Sequence, residues 1–267
     1  MSSTLPLVSA PITTRTADTL RERVVLVTGA TGGVGRASAL ACARAGATVV
    51  LLGRNVRALE KLYDEIEALA APKPAIYPMD LAGAAAKDYD DLAVAIERDC
   101  GRLHGVIHAA SHFDTLQPLA QQTPEEWSRA QQVNVTAPFL LTRAVLPLLG
   151  ERESAALVFV LDDPQRIGKS FWGGYGVSKH ALAGLVAILH EETDNSSIRV
   201  HALLPGPMRT KFRRAAYFGE DTMMHPEPSV AGEAATYLLS DAAVALRGKT
   251  LDLRVLATTG ETIAALH

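Results

Sequence analysis

The chain has 267 residues, of which 48% are hydrophobic and 21% charged, with a formal net charge of -3. That is enough apolar material for a large core in one α/β domain, and it excludes wholesale disorder. The weak net charge, with no long basic run, argues against nucleic acid and anionic membrane as partners.

Residues 1–20 contain Ser, Thr and Pro, without a period or the apolar segment of a signal peptide. A flexible or loosely docked extension is expected there, and a cytoplasmic location for the protein. No apolar run approaches the about 18 residues of a membrane span. Val24-Val25-Leu26-Val27 then reads as a buried parallel strand. It is followed by Thr28-Gly29-Ala30-Thr31-Gly32-Gly33-Val34-Gly35, an alanine-rich helical stretch over 36–46, and a second apolar strand over 47–52. Strand, glycine-rich turn, helix and strand form the first half of a dinucleotide-binding fold. Glycines there permit a tight turn, close approach of a pyrophosphate and close helix–strand packing, and the helix start offers unpaired N–H groups to phosphate.

The end of the second strand, Gly53-Arg54-Asn55, bears on which cofactor is held. An NAD-binding chain usually carries an acidic residue about 20 positions after the glycines, to hold the ribose. Arg54 stands 19 residues past Gly35, with no Asp or Glu on the turn. A guanidinium grips a 2′-phosphate in two-pronged fashion, so NADP(H) is favoured over NAD(H). A merely solvated Arg54 would leave the preference unset.

Further along, Leu59, Leu62, Ile66 and Leu69 make a helical stripe that Pro72 and Pro74 would close. Strands are predicted over 75–79 and 103–110, flanking a helix over 84–100 that turns Leu92, Ala93 and Ile96 inward. A long helix is predicted over 124–149, started by Thr123-Pro124-Glu125-Glu126, disturbed at Pro138 and ended near Pro147. Strands over 155–161, 198–204 and 249–255 alternate with helices over 173–192 and 229–240, and 206–228 reads as an irregular, Pro- and Met-rich cover. Such alternation predicts a parallel sheet with helices on both faces and a ligand outside the carboxyl ends of the strands.

Tyr175 and Lys179, at i and i+4, share one helix face. An ammonium near a phenol stabilises the phenolate and makes it a usable acid or base near neutrality; a pair that merely shares a face is the plainer alternative. His104, His108, His112, His180, His190 and His201 are scattered without ligand spacing, so no metal is expected, and Ser111 and His112 are candidates to face a substrate. Cys42 and Cys100 read as reduced apolar side chains. Phe171, Trp172, Tyr217, Phe218, Met223 and Met224 suit either an apolar pocket or packing in a lid or interface.

Taken together, the chain resembles the short-chain dehydrogenases/reductases over about residues 22–255. The resemblance rests on Thr28-Gly29-x-x-x-Gly33-x-Gly35, Asp80-Leu81, Val133-Asn134-Val135, Tyr175-x-x-Ser178-Lys179 and Pro205-Gly206-Pro207-Met208-Arg209-Thr210. Within the family it is similar to bacterial members with Gly-Arg-Asn closing the second strand. The resemblance implies a single Rossmann-fold α/β domain over about 21–258, a doubly wound seven-stranded parallel sheet in the order 3-2-1-4-5-6-7, a substrate loop at about 206–228 and a tail at 259–267. It also implies hydride transfer to or from a carbonyl or alcohol, and a homodimer or homotetramer; the exposed faces of the helices at about 126–149 and 174–192 would suit a dimer. Tyr175 would be the proton donor, tuned by Lys179, which also holds the nicotinamide ribose; Asn134 would support Lys179 through a water. Around the cofactor it implies Gly29, Thr31, Gly32, Gly33, Val34, Gly35, Arg54, Asn55, Asp80 beside the adenine, Leu81, Ala109, Ala110, Pro205, Gly206, Met208 and Thr210 near the amide.

Two departures stand out. His108-Ala109-Ala110-Ser111 replaces the family's Asn-Asn-Ala-Gly. The family's catalytic serine, 13 residues before the tyrosine, is here Asp162. A carboxylate only accepts hydrogen bonds where a serine also donates, and an anion beside Tyr175 opposes Lys179. Asp162 is therefore expected to act as a buried neutral acid, to point away, or to leave a catalytically impaired protein that only binds nucleotide.

Overall fold

The computed structural model describes residues 4–9, 18–150 and 154–254. The expected tail at 259–267, Val255 at the end of the last predicted strand, and residues 1–3 and 10–17 of the N-terminal extension lie outside the described residues.

The described residues form one parallel sheet of eight strands: β1 Leu7–Val8, β2 Val24–Thr28, β3 Thr48–Gly53, β4 Ala75–Pro78, β5 Gly105–His108, β6 Ala155–Val160, β7 Ile198–Leu204 and β8 Thr250–Asp252. Their order is β1-β8-β7-β6-β5-β2-β3-β4. Leaving β1 aside, this is the predicted seven-strand order. The added strand corrects the expectation for the N-terminal segment: Leu7 and Val8 pair with Thr250 and Leu251, and Leu5 is buried, so this part of the extension belongs to the sheet.

The helices are α1 Gly33–Arg44, α2 Val56–Glu67, α3 Ala86–Cys100, α4 Pro124–Gln131, α5 Ala137–Gly150, α6 Pro164–Ile167, α7 Gly173–Thr193, α8 Lys211–Ala216 and α9 Ser229–Leu239. Successive strand residues serve opposite layers, as the two-residue period of a strand requires. Val25, Val27, Val49 and Leu51 join α1, α2 and α9 in one core, while Val24, Leu26, Val50 and Leu52 join α3, α5 and α7 in the other. Burying each such Val or Leu contributes about 1.5–3 kcal/mol. Gly232 lets α9 settle on α1, since a Cβ there would lie 2.5 Å from the backbone of Ala37.

Several boundaries differ from the sequence reading. Leu69 is exposed, because α2 stops at Glu67 and Ala70 turns left-handed (φ 54°), before either proline. The long helix is interrupted by a π turn at Gln132–Thr136 and then runs through Pro147 to Gly150. Pro138 has no N–H to give, so the wider turn just ahead of it absorbs the missing bond. The helical stretch Pro124–Gly150 is long enough to cross a membrane and its most apolar window has a mean hydropathy of 1.4, but half of that window is buried in the fold, as in a core helix. The segment 206–228 is less irregular than predicted, holding α8 and a 3-10 turn at Thr222–Met224.

Candidate active site

A cleft of about 540 Å³ opens at the carboxyl ends of β2, β3, β5, β6 and β7, lined by the glycine turn from Gly29 together with Tyr175, Lys179 and Phe212. The order in which β2 lies between β3 and β5 makes this the switch point of the sheet, where open α/β folds place ligands.

The glycine turn is built for close approach. Gly29 has φ +62°, and a Cβ there would lie 2.7 Å from Ala110 Cα; one on Gly35 would lie 2.2 Å from Gly29 O. Gly32 takes the N-cap position of α1 with no side chain capping it and no acidic residue in the first turn, so N–H groups face the cleft ready for an anion. The Thr28 hydroxyl accepts from the N–H groups of both Ala109 and Ala110 at 3.1 Å, stitching the loop after β5 onto the turn. Volume, glycines and open helix start fit a dinucleotide.

At the outer end, Arg54 follows β3 and is exposed to the cleft. Arg36, in the first turn of α1, also lines it and pairs with Glu65. Asp80 and Leu81 lie at the same end, and Thr31, Val34, Pro205, Gly206, Met208 and Thr210 line the cleft too. Asn55 does not: it caps α2 by accepting from Ala58 N at 3.1 Å.

Inside, α7 brings Tyr175 and Lys179 to one face, both buried. Tyr175 Oη donates to Asp162 Oδ2 at 2.6 Å, and Arg166 pairs with the other carboxylate oxygen. Asp162 thus points straight at the tyrosine, correcting the reading in which it turns away. A guanidinium against its second oxygen also replaces the expected apolar surroundings of a neutral acid. Burial, then the charge of Asp162 and the bond to it, hold Tyr175 well above its ordinary value, against Arg166 and a hydrogen bond with Ser111. The expected lowering by Lys179 does not dominate. Lys179 Nζ donates to Val160 O at 3.0 Å, and burial brings its ammonium down to about 8, against the opposing pull of Asp162.

Asn134 sits in the π turn, fully buried. It accepts from His112 N at 2.7 Å and donates to His112 O and Ser178 Oγ at 2.9 Å, so its direct bonds tie the loop after β5 to α7. His108 is structural: it stacks on Phe159 at 4.4 Å, bonds Thr142, and burial pushes it down to about 3. Among the described residues no cluster suited to a metal ion occurs. Cys42 and Cys100 are free thiols. Trp172 and Tyr217 pack with Phe113, Phe212 and Tyr175 into an aromatic wall, whereas Phe171, Phe218, Met223 and Met224 are exposed. Among the lining residues that the sequence did not single out are Arg36, Arg166, Phe212 and the basic Lys211, Arg213 and Arg214. Arg166 stands four residues after Asp162 at the end of a one-turn helix, a spacing that would have flagged the pair.

A short chain dehydrogenase family model matches residues 23–220. The uncharacterized oxidoreductase YciK of Escherichia coli (strain K12) is 36% identical over 88% of this chain and 93% of its own length. The cyclohexanol dehydrogenase of Acinetobacter sp. (strain SE19) is 28% identical over 85% of this chain and 91% of its own. Among solved structures, a short chain dehydrogenase from Shigella flexneri 2a str. 301 complexed with NADP superposes with a TM-score of 0.86 at 35% identity, over 90% of this chain and 100% of that one. One from Escherichia coli CFT073 complexed with NADPH gives 0.84 at 36%, over 88% and 98%.

Proposed function

The chain belongs to the short-chain dehydrogenase/reductase family of oxidoreductases, and from that premise we propose that it moves a hydride between NADP(H) and a small-molecule carbonyl or alcohol, with Tyr175 as general acid/base. The observation that carries this is one cleft lined both by the glycine turn and by Tyr175 and Lys179. The N–H groups at the start of α1 would hold the pyrophosphate, Arg54 a 2′-phosphate, Asp80 the adenine side, and Lys179 the nicotinamide ribose. When bound, the nicotinamide supplies the hydride chemistry; the protein supplies orientation and a proton at Tyr175 Oη. NADP and NADPH in two similar structures support the choice of cofactor.

The engagement of Tyr175 Oη by Asp162 favours a second reading, a nucleotide-binding protein with impaired turnover. Calorimetry with NADP(H) and NAD(H), followed by a turnover screen over ketones, aldehydes and alcohols, tests both. Absence of heat with either phosphorylated cofactor removes the first reading and the second together, and binding without turnover leaves the second. The exposed Trp127 and Phe139 on α4 and α5, and Val177 and Ile188 on α7, support a homodimer or homotetramer. We place the protein in the cytoplasm.

A further inference from the structure

Resting on that reading, we propose that Asp162 is itself a catalytic residue, the terminal proton acceptor of alcohol oxidation, reached through Tyr175. The geometry sets the direction of the relay. Tyr175 Oη already donates its proton to Asp162 Oδ2 at 2.6 Å, so the phenol oxygen, which the Ser111 side chain also reaches, can serve a substrate hydroxyl only as an acceptor. A serine in this place could donate to a substrate carbonyl; a carboxylate cannot.

The step balances. The alcohol O–H bond breaks and its proton goes to Tyr175 Oη, as the phenolic proton goes to Asp162 Oδ2. The carbinol C–H bond breaks, its electron pair leaves as hydride for the oxidised nicotinamide, and the C=O bond forms. Asp162 ends neutral and Tyr175 ends as it began. Arg166, bonded to the far oxygen, keeps the carboxylate aimed.

Tyrosine and aspartate therefore act as one proton-carrying unit. Oxidation needs the pair with one proton, its resting condition; reduction needs two. Giving up the tyrosine's proton beside an ionised Asp162 would leave two adjacent anions, which the elevated phenol opposes. The charged and titratable groups facing the pair are Arg166 from α6, Lys179 from α7, and Asp163 with its partner Arg254 beyond β8. His112 with Asp114 lies on the loop after β5, and Tyr217, under Arg213, beyond α8. Among the described residues, Asp162 alone takes a bond from the phenol.

Oxidation of an alcohol releases one proton, so the ratio of the two directions must change about tenfold per pH unit whatever the catalyst. The wild type should place that dependence on reduction. Its kcat/KM with cyclohexanol and other secondary alcohols should stay within about twofold between about pH 6 and 8, while ketone reduction falls about tenfold per unit. In Asp162→Ser the dependence should move to oxidation. A second readout needs no cofactor: phenolate absorbance of the cofactor-free chain, with Tyr175→Phe as blank. The ionisation of Tyr175 should move to lower pH by at least one unit in both Asp162→Ser and Asp162→Asn. Coincident pH profiles in wild type and Asp162→Ser, an unmoved phenolate titration, or oxidation by Asp162→Ser alone would each overturn the relay while leaving the cofactor reading intact. Absence of NADP⁺ binding to the wild type would instead remove the reading beneath it.

Discussion

The guanidinium of Arg166 lies 4.6 Å over the ring of Trp172 while pairing through Nη2 with Asp162. One residue thus ties the carboxylate in the serine position to the aromatic wall of the cleft. Burial works against its charge, and Asp162, with Tyr217 and Tyr175, more than offsets this by holding the guanidinium protonated.

Arg166→Leu should cost about 2–4 kcal/mol, since it leaves a largely buried carboxylate without its cation. It should also carry the phenol of Tyr175 further upward, because Arg166 is the charge that opposes Asp162 there. Arg166→Lys keeps the charge but loses the planar face on the indole, and should cost about 1 kcal/mol. Urea unfolding and tyrosinate absorbance measure the two effects separately. Equal losses in both variants would mean that packing, rather than pairing, holds Arg166 in place.

Cofactor choice is predicted to rest on Arg54. A two-pronged charged contact contributes about 1.5–3 kcal/mol, so Arg54→Ala should weaken NADPH binding about 10- to 150-fold and leave NADH nearly unchanged. Arg36→Ala should do less, because that guanidinium is shared with Glu65. Titration calorimetry with both cofactors checks the ranking. Equal loss for NADPH and NADH would locate Arg54 away from the 2′-phosphate.

Much of this site is legible without coordinates because local rules and the fold agree. Val24 to Gly35 announces a strand and a phosphate turn, and the two-residue alternation of its valines into opposite cores follows from strand geometry. Tyr175 and Lys179 meet because helix periodicity demands it. What stays hidden depends on partners far along the chain. Nothing near Asn134 in sequence shows that it grips His112, 22 residues earlier. The edge strand Leu7–Val8 exists only because β8, made by residues about 240 positions later, offers it a ladder. Even Asp162 reads three ways in sequence, and the bond to Tyr175, made by partners 13 residues apart, removes the one in which it turns away.

Gly35→Ala tests the turn. The new methyl would stand 2.2 Å from Gly29 O, a backbone atom that cannot swing aside. Stability should fall by more than about 3 kcal/mol, with NADP(H) binding lost at the same time. Gly83→Ala is the control, since nothing lies within 4 Å of the added carbon. It should change neither melting temperature nor cofactor affinity, and matching losses in the two variants would exclude the turn as the cause.

Lys179 should trade stability against activity. Burial brings its ammonium from an ordinary 10.5 down to about 8, so between those values the unfolded chain binds the extra proton. Stability therefore rises with pH across that window, and below it the buried charge exacts its full penalty. Lys179→Met, similar in length and uncharged, should gain on the order of 2 kcal/mol at pH 7 after the lost bond to Val160 O is counted. The advantage should shrink as pH rises from 8 to 10.5, while NADP-linked turnover falls at least tenfold at every pH. Thermal unfolding across that range decides the matter. A variant less stable than the wild type at pH 7 would mean that the fold favours the ammonium, and that its bond to Val160 and the pull of Asp162 outweigh the desolvation that burial imposes.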